Sequence, residues 1–204
     1  MAYSAVTKRR GIDSSVTRPR VRDATEELIQ EGGFAQATVA ELADRAGVSR
    51  ATVFSHFGSK FGILEGLAVR CAGGPQMRAI RAAVAIDDAD LVLPAIVAAS
   101  CEMWEVQGHI LLTLKAVAEL EADASALVDE QRRDQRESIE HIIRTMERAG
   151  RLGDLPRAHA VAALHLVTSV ESFMELRRNA GLSLAATKRV LTAMAIGLFE
   201  AEPA

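Results

Sequence analysis

The chain has 204 residues, of which 49% are hydrophobic and 25% charged, and its formal net charge is −3. That length suffices for one or two domains with a substantial core. No apolar run approaches the roughly 18 residues of a membrane span, and the opening MAYSAVTKRR lacks the apolar centre of a signal peptide, so a cytoplasmic protein is expected. Cys71 and Cys101 stand far apart, with no companion Cys or His at ligand spacing. This argues against zinc, leaves reduced thiols as the plain expectation, and gives no ground for a metal or a cofactor.

In chain order, the first feature is a basic end. Lys8, Arg9, Arg10, Arg18, Arg20 and Arg22 face a single acid, Asp13, within the first 22 residues. Residues 1–70 hold ten Lys or Arg against eight Asp or Glu, whereas residues 71–204 hold fourteen against nineteen. The N-terminal part therefore offers an electrostatic handle for phosphates although the whole chain is acidic. Residues 1–17 read as a basic arm, either a solvated tail or a segment that orders in a groove of DNA. A first helix is expected from about Arg18 to Glu31, with Val21, Ala24, Thr25, Leu28 and Ile29 on one face, Pro19 tolerated in its first turn, and Gly32-Gly33 ending it. Phe34, Phe54, Phe57 and Phe61 place four of the six Phe in a short window, as large anchors for a small domain.

Thr38 to Lys60, TVAELADRAGVSRATVFSHFGSK, is the most specific stretch. Thr38 with Glu41 makes a capping box that opens a helix. Val39, Leu42, Ala43 and Ala46 recur at three- and four-residue intervals on one face, and Ala43 is small enough to let a second helix approach. Gly47 supplies a left-handed turn and Ser49 caps the next helix. From Arg50 to Phe57 that helix turns Val53 and Phe57 inward and leaves Arg50, Thr52, Phe54 and His56 for a partner. Two short helices so joined are a helix-turn-helix, whose second helix enters the major groove of DNA.

The run AGVSRATVFSHFGSK resembles the signature of the tetracycline-repressor (TetR) family of bacterial transcription regulators, and the chain has that family's usual length. The sequence resemblance covers about Val21 to Leu67; beyond that it rests on helix number and order. It implies an all-α fold with an N-terminal three-helix DNA-binding domain, 18–65, and a C-terminal effector-binding and dimerisation domain, 66–204. By chemistry Arg50 is the candidate for direct base readout, since a guanidinium pairs bidentately with guanine. Thr52 is a candidate for a thymine methyl or a phosphate, and the resemblance makes Thr38, Ser49, His56 and Lys60 backbone positioners. Phe54 stands where the family often has a Tyr that bonds a phosphate. Phe61 and Gly62 also depart from the pattern, and Gly62 is expected to loosen the start of the fourth helix.

That fourth helix is expected from Ser59 to about Arg70, with a break at Ala72–Pro75. Further helices are expected near 76–85, 90–106, 109–119, 124–149, 155–179 and 183–200. The stretches Ala158–Val170 and Val190–Phe199 are apolar nearly all round, which favours a twofold homodimer built on the last two helices. The resemblance implies a small-molecule effector in the C-terminal domain. Met103, Trp104 and Phe173 are the bulky side chains available to line its pocket, with His165, Thr168 and Ser169 as polar atoms to orient it, and the scarcity of charge suggests a lipophilic molecule. The expected function is a ligand-responsive regulator, a repressor on a palindromic operator, with an activator of the same family or a sequence-indifferent DNA binder as alternatives. An enzyme is disfavoured, because neither HExxH nor Glu-x-x-His occurs and His141 lies on a charged face beside Glu140.

Overall fold

A computed structural model describes residues 14–200, and among them every regular element is helical. The basic residues Lys8, Arg9 and Arg10 lie outside the described residues. The chain divides into two compact units, one ending at Leu67 and the other beginning at Ala68.

The N-terminal unit contains α1 (Ser14–Gln30), α2 (Val39–Ala46), α3 (Arg50–Phe57) and the first part of α4 (Lys60–Ala72). Helix α1 begins four residues before the expected Arg18, so Pro19 lies within it rather than in its first turn. Its periodic residues Val21, Ala24, Thr25, Leu28 and Ile29 are all buried, joined by Phe34, Leu42, Ala43, Ala46, Val53, Ile63, Leu64 and Leu67. Of the four Phe expected as anchors only Phe34 is buried; Phe57 and Phe61 are half-buried and Phe54 is exposed. Aliphatic side chains fill this core instead.

The start of α4 is tight rather than loose. Ser59 caps it, its Oγ accepting from the Gly62 amide at 2.9 Å, and a Cβ at Gly62 would stand 1.9 Å from the carbonyl oxygen of Phe57. Gly62 therefore costs helix propensity but permits a backbone-on-backbone contact between the end of α3 and the start of α4.

The second unit contains the rest of α4, then α5 (Pro75–Val84), α6 (Ala89–Ala118), α7 (Ala122–Arg148), α8 (Arg157–Val167), α9 (Val170–Met174) running into a π-helical turn (Glu175–Asn179), and α10 (Leu184–Glu200). Two expectations change here. The segments near 90–106 and 109–119 are one helix of 30 residues, because Gly108 stays helical. A Cβ there would come 2.5 Å from Cε of Met174 and 3.2 Å from Cγ2 of Val170, so this glycine serves a close approach of α9. Conversely, the expected helix over 155–179 breaks at Thr168. The Thr168 hydroxyl turns back to the Leu164 carbonyl at 2.8 Å, and Ser169 caps α9 by accepting from the Ser172 amide at 3.1 Å. Trp104 Nε1 donates to the Thr168 carbonyl at 2.9 Å and satisfies an oxygen that the break would otherwise leave buried and unpaired.

Helix α6 packs against α5, α7, α9 and α10. One side joins Val92, Leu93 and Ile96 to Ile139, Ile142 and Ile143 of α7 and Leu164 of α8. The other joins Val97, Cys101 and Trp104 to Val170, Phe173, Leu191 and Ala195. Charges frame this second side. Arg177 grips Glu105 in a two-pronged pair at 2.7 and 2.9 Å, which holds the Glu105 carboxyl below its ordinary range, while Lys188 pairs with Glu102 and Lys115 with Glu171.

Gly62→Ala should gain about 1 kcal/mol of helix propensity but place its methyl on the Phe57 carbonyl, where overpacking costs about 1–3 kcal/mol. The urea midpoint followed by circular dichroism should fall, and a variant as stable as the parent would contradict the contact. Cys101 is buried, and burial pushes its thiol up to about 11. At pH 8 only roughly one molecule in a thousand then carries the thiolate. Iodoacetamide should leave Cys101 unmodified in the folded protein and alkylate it once urea opens the core, as read by mass spectrometry; rapid labelling without urea would show that this side of α6 is open.

Candidate nucleic-acid interface and effector cavity

The helix-turn-helix is built from local hydrogen bonds. Thr38 adopts extended backbone before α2, and its hydroxyl accepts from the Glu41 amide at 3.2 Å. Gly47, at φ +64°, ends α2, and the Val48 amide reaches back to the Ala43 carbonyl at 2.9 Å. The Arg20 guanidinium lies over Gly47, 2.5 Å from where a Cβ would stand, and can swing aside, so it is the left-handed backbone that requires glycine at this turn. Ser49 then caps α3: its Oγ accepts from the Thr52 amide at 3.0 Å and shares a 2.7 Å hydroxyl contact with Thr52 Oγ1. Arg45 at the end of α2 pairs with Glu31 after α1 at 2.8 and 3.0 Å, which draws the Glu31 carboxyl below its ordinary range.

On α3, Val53 is buried while Arg50 and Phe54 are exposed and Thr52 and His56 half-buried. The Arg50 guanidinium lies over the Phe54 ring, 5.3 Å from its centroid. One helical turn apart, the two form a cation and its platform on the solvent side of the helix. Phe54, which lacks a hydroxyl for a phosphate, thus has a different use: it limits where Arg50 can point.

Lys60 is more internal than the sequence suggested. Its Nζ donates to the Ala35 carbonyl at 3.0 Å and sits 4.5 Å from the centroid of the Phe34 ring, so it fastens the segment before α2 to the start of α4.

In the second unit a cavity of about 500 Å3 opens between the end of α4, α5, α6 and α7, within the range of small-molecule sites. Met103, Trp104 and Thr168 line it, together with Ile96, Ile110, Leu111 and Leu114 of α6 and Ile139 and Ile142 of α7. The other three residues expected in a pocket are not among its lining. Phe173 is fully buried in the core shared with Val170 and Leu191. Ser169 commits its oxygen to the α9 cap and to the Leu166 carbonyl at 2.8 Å. His165 lies near Lys115 and Glu171, and burial, helped by the Lys115 charge, holds it below the ordinary histidine range.

The sequence missed the opposite wall. Gln131, Asp134, Gln135, Glu137 and Ser138 of α7, with Arg81 of α5 and Gln107 of α6, also line the cavity, so its lining is not poor in charge. The three- and four-residue spacing of these α7 residues is the signal that was present. Among the described residues no cluster of three His, Cys, Asp or Glu could hold a metal ion, and no helix is long and apolar enough to cross a membrane.

Comparison with known proteins places both units. Residues 21–67 match the family described as bacterial regulatory proteins, tetR family. The transcriptional regulator BetI of Escherichia coli is 45% identical over 51 residues, 25% of this chain and 26% of BetI, so the chain spans only about a quarter of the length of the curated relatives it matches. The solved structures extend the likeness to the whole fold. The TetR family regulator PfmR of Thermus thermophilus superposes with a TM-score of 0.71 at 21% identity over 92% of this chain and 98% of PfmR. The ketosteroid transcriptional regulator KstR2 of Mycobacterium tuberculosis gives 0.73 at 18% identity over 94% and 98%. The helix-turn-helix segment, residues 21–67, thus matches the tetR family of bacterial regulatory proteins in sequence, and the helical order of the chain matches regulators of that family in fold.

Proposed function

We propose that this protein is a DNA-binding transcriptional regulator that reads a palindromic operator as a homodimer and is released from it by a small effector. The observation that carries the reading is the α2–α3 element, with Arg50 held on Phe54 at the exposed side of a helix whose N-terminus Ser49 caps. A helix so presented offers its first turn to base edges and its amide end to phosphates. In this reading Arg50 contacts guanine, Thr52 a thymine methyl or a phosphate, and Thr38, Ser49, His56 and Lys60 place the backbone. Lys60 would exchange its contacts with Ala35 and Phe34 for a phosphate. The basic residues near the N-terminus would add to the phosphate contacts.

The surface of α8 and α10 supports the dimer. These helices pack on each other, yet Leu166 is 62% exposed, Met194 49% and Val190 37%, Ala158, Ala162 and Ala193 are exposed beside them, and a Cβ at Gly197 would meet nothing within 4 Å. An apolar patch edged with small residues suits a second copy of itself about a twofold axis. Val170 does not belong to it, being buried against Gly108. The cavity supports effector binding, and structures of similar fold include one regulator named for ketosteroids and one in complex with choline. Release requires the effector to bind the DNA-incompetent state more tightly; a coupling of about 1–3 kcal/mol changes operator affinity roughly 5- to 150-fold. Repression is the favoured outcome, with activation the alternative that promoter position decides. A non-enzymatic, cytoplasmic protein fits all of these readings.

Selection of bound fragments from randomised DNA at physiological salt should recover a palindrome; retention of random DNA alone would favour the sequence-indifferent reading. Arg50→Ala should relax preference at one position per half-site, at about 1–3 kcal/mol of lost discrimination, and Phe54→Ala should weaken the same preference by less. An unchanged consensus with Arg50→Ala would remove Arg50 from base readout. Leu166→Glu should give folded monomers by sedimentation that bind the palindrome poorly. A dimer of normal affinity would move the interface away from α8 and α10.

A further inference from the structure

The cavity of the second unit is graded along one face of α7. Ile139 and Ile142 meet the apolar floor made by α6, and towards the N-terminus of the helix the same face presents Ser138, Asp134 and Gln131. The polar end is rich in unused acceptors. Oε1 of Gln131 is buried with no hydrogen-bond partner among the described residues, an arrangement that ordinarily destabilises a fold. Asp134 and Glu137 make no ion pair among the described residues, although Arg132 and Arg136 on the same helix are engaged with Asp129 and Glu140. Among the described residues Arg81 is the single cation of the lining, and its guanidinium reaches the Ala72 carbonyl at 3.4 Å.

An apolar chamber of this volume that ends in a buried orphan acceptor, with, at its rim, two solvent-exposed carboxylates free of ion pairs among the described residues, selects for one kind of molecule. Resting on the effector reading above, we propose that the cavity binds an amphipathic cation: an apolar body against Trp104 and the α6 floor, and an ammonium-type head that donates to Gln131 Oε1 and is balanced by Asp134 and Glu137. A ligand of that form supplies the missing donor and adds the charge the wall lacks. An anionic amphiphile of the same size meets two carboxylates and an acceptor, with Arg81 alone to offset them.

Trp104 is the chain's single tryptophan and lies in the cavity wall, so its fluorescence reports occupancy directly. The full-length protein is titrated at pH 7 with decylamine, decanol and decanoate below their micellar concentrations, with far-ultraviolet circular dichroism confirming that the helices persist. Decylamine should perturb Trp104 at concentrations at least tenfold lower than decanoate. Asp134→Asn with Glu137→Gln should weaken decylamine at least fivefold and leave decanol unchanged, and Gln131→Leu should weaken both donors. Equal binding of all three probes, tighter binding of decanoate, or no response to any of them would overturn the assignment. If decylamine saturates the cavity while the complex with the selected DNA persists, the ligand class stands and the effector-release reading fails.

Discussion

The close approach of α9 to α6 at Gly108 is the constraint on which the second unit depends. At Gly108 the 30-residue α6 carries no side chain, so Val170 packs with its Cγ2 3.2 Å from where a Cβ would stand and the flexible end of Met174 lies closer still. That approach fixes where the apolar stretch after Pro156 must bend. The bend falls at Thr168 and Ser169, where the lost helical bonds are replaced by the Thr168 hydroxyl, the Ser169 cap and the indole of Trp104. Trp104 therefore belongs to two structures at once, since its nitrogen completes the break and it also lines the cavity. Packing of the core and the shape of the cavity are set by the same side chain.

The N-terminal unit is organised differently: short-range polar bonds set its geometry and a small aliphatic core holds it. Three caps, at Thr38, Ser49 and Ser59, start α2, α3 and α4, and each substitution of such a cap by Ala costs about 1 kcal/mol. Glycines at 47 and 62 are required for opposite reasons: the first for a left-handed backbone, the second for room against a carbonyl.

Legibility in the sequence followed the range of the interactions. The Thr38 cap, the Gly47 turn, the Ser49 cap and the inward face of α1 depend on residues within a few positions of one another, and all were readable. The continuity of α6 was not, because the partners that make Gly108 useful, Val170 and Met174, lie some sixty residues away. The break at Thr168 was masked by the apolar character of its surroundings, although Ser169 is a good cap residue. Met103 and Trp104 were recognisable as cavity material from size alone. By contrast, Gln131, Asp134 and Ser138 look in sequence like any solvated helix face, and only the helices opposite them turn that face into a wall.

The contact at Gly62 has a mechanical consequence. Side chains yield under load by changing rotamer, and most helix pairs slide a little by that means. The start of α4 meets the end of α3 through backbone atoms, where no such freedom exists. Within the N-terminal unit the first turn of α4 and the last turn of the Arg50 helix therefore have no side-chain cushion between them, and a displacement of one bears directly on the backbone of the other.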